Sequence, residues 1–476
     1  MTRPPKPASR PNRVPLWRYF QLFRKDILSA QPERLYRAWM AEFKTPFFRS
    51  YVCNDPKLVD LVLRKRPMDF PKSDRVRKGL APLLRNSVFV TNGDVWAHQR
   101  RIIDPAFEGG KLRETFPAMW QAGVSCTNRL ASRCGSPVDI EAETSHLAAD
   151  VIFRTLFSIP IEDEAAQMTF QSFKAHQASA PIVSLAALMP WPRWAPRFGM
   201  RKTRLTARRI RALIEELTQK RAADIAQGTA PDDLATKIMT TPDPETGACF
   251  GTDEMVDQVA IFFLAGHETS ASALAWSLYL LATHPDWQAQ VAQEAQAVLC
   301  GDGMPDFSAL KRLRITRAVF REAMRLYPPV PMFVRENTCP EEFRQRDIAV
   351  GSQVVISAWH LHRHARLWDD PDGFDPARWD TENGKTCQRD AYIPFSAGAR
   401  VCPGAGFALA EGTLLLAMIL RSYVFKADPE RVPVPSAQLT VRSANGIWLE
   451  LRPRAPQNMR SDASGDGPGC ETTHPN

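Results

Sequence analysis

The stretch from Thr252 to Thr283 reads as one long helix whose middle is apolar almost all round. A helix apolar on every side cannot lie on a surface. It must run through a core and be wrapped by other elements. Thr252 suits the N-cap, Asp253 and Glu254 favour the positive end, and His284-Pro285 stops the run. The chain must therefore fold around this helix, and 476 residues, 44% of them hydrophobic, suffice to wrap it.

Other periodic segments fill out a mainly α chain with small β-sheets. Pro56–Arg64 and Val95–Ile103 read as short helices, and Leu205–Gln227 as a long amphipathic one. Pro231-Asp232-Asp233 reads as a helix start. Arg317–Leu326 is a second core helix, stopped by Pro328-Pro329, and Gly404–Tyr423 a third. Val88–Thr91 and Ile348–Ala358 read as extended, Asn92-Gly93-Asp94 as a turn, and Leu439–Leu451 as a hairpin turning at Ala444-Asn445-Gly446. Residues 1–15, basic and proline-rich, read as a disordered arm. Residues 458–476, rich in Ser, Gly, Asp and Pro, read as a disordered tail, which leaves 16–457 as a single domain.

Lys+Arg 61 against Asp+Glu 52 gives +9, spread along the chain. Without a clustered stripe this argues against nucleic acid and for an acidic partner protein. Nine cysteines with no Cys-x-x-Cys exclude a zinc ribbon or a disulfide framework and point to a reducing cytoplasm. The N-terminus lacks the apolar core of a signal peptide, and no apolar run reaches the ~20 residues that span a bilayer. A soluble protein without a transmembrane segment is expected.

The densest chemical signal is Phe395-Ser-Ala-Gly398-Ala-Arg400-Val-Cys402-Pro-Gly404. A lone cysteine where a loop meets a helix is most often a small buried hydrophobe. Here Gly398 and Gly404 permit a tight turn whose N–H groups can point at the sulfur. The following helix brings its positive end beside it, and Arg400 stands ready for an anion. These features favour a thiolate and suit an iron ligand. The segment resembles the haem-binding loop of cytochromes P450, Phe-x-x-Gly-x-Arg-x-Cys-x-Gly, at all its fixed positions. The resemblance implies the cytochrome P450 fold, with haem b between a long central helix and the cysteine loop, and Cys402 as the iron ligand.

Three further motifs stand in the family's order. Glu322-Ala-Met-Arg325 alone would be a routine helix-face ion pair worth about 0.2–0.5 kcal/mol. With Arg378 of Phe374-Asp-Pro-Ala-Arg378 it resembles the P450 structural triad, whose role is to set the fold behind the haem. Ala265-Gly266-His267-Glu268-Thr269-Ser270, a polar interruption in the apolar helix, is by itself a tolerated kink. It resembles the P450 oxygen-side pattern. That resemblance implies that Gly266 and Ala265 leave room for O2, that Thr269 supplies a hydroxyl, and that Glu268 feeds protons. His267 falls at the variable position and is read as a structural donor. Trp96-Ala-His-Gln-Arg100 resembles the family's Trp-x-x-x-Arg helix, and with Arg335 and Arg400 it is expected to hold the haem propionates. His98, between them, is given no contact. One departure stands out: the family commonly has His-Arg-Asp-Pro where this chain has His362-Arg363-His364-Ala365.

By the same resemblance the substrate pocket takes residues from about Lys78–Phe89, Ile261 and Ala265, Val330–Phe333 (with Met332), and Ala444-Asn445 at the hairpin tip. These are mainly apolar, so a lipophilic substrate is expected, with fatty acid, terpenoid and steroid all open. Ala180–Met200 reads as a mobile lid, a packed loop or a membrane contact. The implied activity is a monooxygenase inserting one atom of O2 by hydroxylation or epoxidation. NAD(P)H would supply electrons through a separate ferredoxin and ferredoxin reductase. A peroxygenase or isomerase needing no electron donor, and a non-catalytic haem-thiolate binding protein, are the alternatives.

Overall fold

The computed structural model of the chain describes residues 3–44, 49–108, 110–179, 200–301 and 303–454. Among these, the helices that position the site are α1 (Gly93–Phe107), α2 (Ile140–Phe157), α3 (Glu164–Ser179), α4 (Met200–Ala226), α5 (Thr252–Thr283), α6 (Arg314–Leu326) and α7 (Ala405–Ser422). The strands are β1 (Met40–Lys44), β2 (Arg49–Cys53), β3 (Pro137–Asp139), β4 (Phe333–Glu336), β5 (Glu341–Glu342), β6 (Asp347–Ile348), β7 (Gln353–Ile356), β8 (Tyr423–Ala427), β9 (Pro435–Ala437), β10 (Val441–Ser443) and β11 (Trp448–Pro453).

The long helix runs through the interior as its composition demands. Its first stretch, Met255–Leu264, joins apolar faces of α1, α2 and α4, and its last, Ala273–Leu281, joins α6 and α7. Residues 265–272 belong to neither core, and the cavity opens there. Helix α5 meets α2 at Gly266, where a Cβ would stand 2.5 Å from Ile152 Cδ1. The roughly 1 kcal/mol that glycine costs inside a helix is offset by this close approach. The cap differs from expectation in one detail. Gly251 is the N-cap, and Glu254 Oε2 accepts its N–H at 3.0 Å, leaving Thr252 no capping role. By length and composition α7 alone among the described helices could cross a membrane. Its residues Glu411–Leu420 are buried, packed against α5 and α6.

The principal sheet has the order β1-β2-β7-β4, with β2 and β7 parallel and the other pairs antiparallel. Two extended readings need correction. Ile348–Ala358 is not one strand. It holds the end of β6, a turn, β7 and the start of a short helix, because Gly351 at φ +79 reverses the chain inside the alternating pattern. Leu439–Leu451 is not a hairpin. A turn sits at Gly446, but β10 pairs with β9 while β11 pairs with β3 and β8, so the two arms join different sheets.

Val88–Thr91 is also not extended. The segment turns, with Val90 and Thr91 N–H groups returning to the Ser87 carbonyl, and Asn92 becomes the N-cap position of α1 instead of a free turn. The stretch read as a loose basic arm lies against the body from residue 3 onward. Arg10 Nε donates to Ala30 O at 2.6 Å, Lys6 meets Asp372 at 2.9 Å, and the Tyr327 hydroxyl donates to Pro5 O at 2.8 Å. Its cations find fixed acceptors, and its prolines have no N–H to satisfy. The 458–476 tail and residues 180–199 of the segment read as a lid lie outside the described residues.

Candidate functional site

The cysteine loop is built by close backbone contacts. Cys402 N–H donates to Phe395 O at 3.0 Å and Ala405 N–H to Cys402 O at 3.3 Å, closing the turn into α7. Gly398 sits at φ +67 with the Leu63 carbonyl where a Cβ would go, so only glycine fits. Cys402 opens into a cavity of about 460 Å³ lined also by Phe395, Gly404, Ile261, Ala265, Gly266 and Thr269. The thiol pKa is raised. Burial pushes it up, and the Gly404 amide and Arg100 only partly oppose this. The backbone donor and the cation expected from the motif are present, but they lose to desolvation. Ionisation would come with a metal, which binds the thiolate directly.

Along one side of the same cavity stand Trp96, Arg100, Arg335 and Arg400, joined by Lys72. The Arg400 guanidinium lies 4.9 Å from the Trp96 ring and the Lys72 ammonium 5.7 Å from it. Arg100 has a carboxylate, with Asp104 at 2.7 Å, and also donates to Val401 O. The other three bond only to uncharged groups among the described residues. Arg335 reaches Val334 O, Lys72 reaches the Val88 and Thr91 carbonyls, and Arg400 reaches Pro67 O while its Nε has no partner. Burial lowers the Arg335 pKa to about 10, with help from Arg400. It lowers Lys72 well below the usual lysine range, with Arg335, Arg400 and Arg100 pushing the same way. Buried cations without counter-ions are costly. The set fits a ligand with an apolar body, acidic groups at one edge and a metal for sulfur, and haem has those properties. Lys72 was missed in the sequence because it reaches the site across the fold.

Thr269 also lines the cavity, and its Oγ1 donates to Ala265 O at 2.5 Å, a back-bond within the helix. Glu268 does not line the cavity. It turns to β10 and the residue before it, with Thr440 Oγ1 donating at 3.2 Å and Arg442 pairing at 3.2 Å, and burial raises its pKa. His267 is a structural partner as expected, 2.8 Å from Ser145 Oγ and held neutral by burial at a pKa of about 3. His98 binds Asp243 at 2.6 Å, away from the cavity. A second buried acid lines the cavity from α7. Ser270 donates to Glu411 Oε2 at 2.6 Å, Oε1 has no partner, and burial pushes its pKa to about 8.

Behind the loop, Glu322, Arg325 and Arg378 do meet. Glu322 accepts from Arg325 Nε and Nη2 and from Arg378 Nε, all at 2.9 Å. The remaining guanidinium protons go to the carbonyls of His362, Pro371 and Gly373, and of Asp369 and Asp370. All three side chains are 5% exposed or less. At the departing motif, His362 Nε2 accepts the Ile393 N–H at 2.9 Å, Arg363 pairs with Asp372 at 3.0 Å, and His364 stacks on Trp39 at 4.3 Å.

Of the expected pocket residues, Ile261, Val330, Met332 and Phe333 line the cavity with Gly79, Leu80, Val88 and Phe89. Ala444 and Asn445 do not. Asn445 instead bonds Val434 N–H and Val432 O, and Gln438 and Leu439 take the place of the hairpin tip.

The family described as Cytochrome P450 matches residues 11–449 of this chain. Cyclooctat-9-en-7-ol 5-monooxygenase of Streptomyces melanosporofaciens is 33% identical over 392 residues, 80% of this chain and 81% of that protein. Cytochrome P450 72A15 of Arabidopsis thaliana is 30% identical over 441 residues, 87% of this chain and 81% of that protein. The crystal structure of the cytochrome P450DA heme domain is similar in fold, with a TM-score of 0.79 and 24% identity, covering 95% of this chain and 98% of that one.

Proposed function

This chain belongs to the cytochrome P450 family, and from that premise we propose that it is a haem-thiolate monooxygenase acting on a lipophilic substrate, formed as one domain that takes in the residues from 3 onward instead of beginning at 16. The observation that carries the reading is one cavity lined together by Cys402, by Thr269 and Gly266, and by the cations Lys72, Arg335 and Arg400, which have no carboxylate partner among the described residues. Haem, when bound, supplies an iron that accepts electrons and O2 and delivers one oxygen atom into a C–H or C=C bond.

The protein's own share is positioning and proton supply. Cys402 would hold the iron through its sulfur, and Trp96, Arg100, Arg335, Arg400 and Lys72 would supply donors for two propionates. Thr269 would hold a proton at Oγ1 beside the cavity, while the Cβ position of Gly266 is filled by Ile152 of α2, so this glycine serves close helix packing and does not leave the room for O2 expected of it. Glu268, the residue before Thr269, is turned to Thr440 and Arg442, so a part in proton supply would require it to swing toward the cavity. Apolar walls at Ile261, Val330, Met332 and Phe333 exclude water and favour an apolar substrate of the terpenoid, fatty-acid or steroid kind. The Streptomyces relative, by its name, oxygenates a lipophilic alkenol, which supports this class.

The reductant proposed is a ferredoxin served by an NAD(P)H-dependent reductase, in a reducing cytoplasm. Excess positive charge favours an acidic partner, and the eight described cysteines are all free. The test is optical. The purified protein, reduced under carbon monoxide, should show the long-wavelength Soret band of a sulfur-ligated ferrous adduct, and Cys402→Ser should lose it. Intact material without that band would overturn the reading.

A further inference from the structure

The turn at residues 86–91 forms part of the cavity wall through Val88, Phe89 and Val90, yet no strand or helix holds it. Side chains from other elements do. Asp257 Oδ2 accepts the Asn86 N–H at 3.0 Å and Gln258 Oε1 accepts the Val88 N–H at 2.9 Å. Gln99 Nε2 donates to Asn86 O, and Thr91 Oγ1 donates to Gln99 Oε1, both at 2.6 Å. Asp257 is held in turn by Arg211 of α4 at 2.7 Å, and Arg211 Nη1 donates to Leu83 O at 3.0 Å, on the approach to the same turn. Asp257, Gln258 and Arg211 are all buried. Gln258 Nε2 has no partner, so the acceptor oxygen is what this glutamine contributes. Ile261, one helical turn further along α5, faces the cavity itself.

We propose that Gln258, Asp257 and Arg211 act as positioning residues that fix the Val88–Val90 wall and so decide which bulky lipophilic ligands the cavity admits. Asp257 and Gln258 set the wall against α5. The Arg211–Asp257 pair makes its position depend on where α4 lies, so a long helix that supplies no residue to the cysteine loop takes part in ligand selection. A buried N–H that loses its only acceptor must seek another, and the wall would move to provide one. Small ligands that reach the iron without touching the wall should not sense the change.

The test uses the holoprotein and rests on the haem-thiolate reading only for its optical signal. The carbon monoxide band reports that reading, and ligand selectivity reports this one. Dissociation constants for clotrimazole, which fills a large cavity, and for imidazole, which does not, are measured from the Soret shift. In Gln258→Leu their ratio should change at least tenfold, with imidazole within twofold of the parent and the carbon monoxide band intact. Equal changes for both ligands, or none, would overturn the proposal. Should Gln258→Leu lack the band, Asp257→Asn and Arg211→Met decide. Asp257→Asn keeps an acceptor for Asn86 and loses the ion pair. Both should move the ratio in the same direction by threefold or more, and Arg211→Lys should restore it. A parental ratio in either removes α4 from the account.

Discussion

Two groups of buried charges, one around Glu322 and one around Trp96, are opposites. Around Glu322 each charge is answered within the protein: one carboxylate, two guanidinium groups and a ring of backbone carbonyls leave little unsatisfied. Around Trp96 four cations share one carboxylate, Asp104, which pairs with Arg100 alone. Lys72, Arg335 and Arg400 meet only uncharged partners, and their pKa values fall. A closed set of charges specifies a fold. An open set carries a cost until a ligand of the opposite sign arrives. Folding and cofactor capture are therefore assigned to separate clusters within one molecule.

The sharpest way to break this contrast is to open the closed set. Glu322→Ala would leave two buried arginines without their carboxylate, costing more than about 3–5 kcal/mol, a large share of a stability of about 5–15 kcal/mol. Folded holoprotein should be absent, and a variant with normal haem content would show that the triad is not structural. The next effect has the opposite sign in the cofactor-free protein. Arg335→Leu should speed haem transfer to apomyoglobin by about tenfold or more, from a lost charge-assisted bond of about 1.5–3 kcal/mol. It should leave the melting temperature of the apoprotein unchanged or raised. A lowered apoprotein melting temperature would mean Arg335 is already satisfied.

A smaller effect lies in pH. Lys72 binds its proton less well folded than unfolded, so its unfavourable contribution is greatest at low pH. It fades as pH rises through the lowered value toward the free value of 10.5. Apoprotein stability should therefore gain from Lys72 across that window. Buried thiols and tyrosines with raised pKa values work against this gain in any variant. The measurement is thus the difference in denaturation midpoints between parent and Lys72→Met from about pH 8 to 10, which should shrink as pH rises. Smallest of all in stability is Thr269→Ala, which touches neither cluster. It should keep haem content and melting behaviour, and should divert electrons from product to hydrogen peroxide. Fully coupled turnover would remove Thr269 from the proton path.

What could be read from the sequence was whatever is contiguous. The loop around Cys402 and the Glu322–Arg325 face are local spacings, and their geometry follows from turn and helix rules. Arg378 was found only because its own short segment carries a pattern. Lys72 and Glu411 carry no such signal, since their meaning comes from what packs opposite them. The same limit explains the strand errors. Alternation at Ile348–Ala358 looks continuous until Gly351 turns it, and a hairpin turn at Gly446 does not say which strands its arms will find. The 88–91 segment turns because Ser87 O takes the Val90 and Thr91 N–H groups while Gln258 and Lys72 side chains meet the Val88 and Thr91 backbone, and none of these partners is legible in the local pattern.

The first residues have a part to play that their composition hides. Pro5 receives the Tyr327 hydroxyl, and Lys6 holds Asp372, which also binds Arg363, in the loop whose Pro371 and Gly373 carbonyls take protons from Arg325. Lys6 is thus held by a carboxylate 366 positions further along the chain. Removing residues 3–10, whose composition suggests a loose arm, would pull a pin from the scaffold that holds the Glu322 cluster.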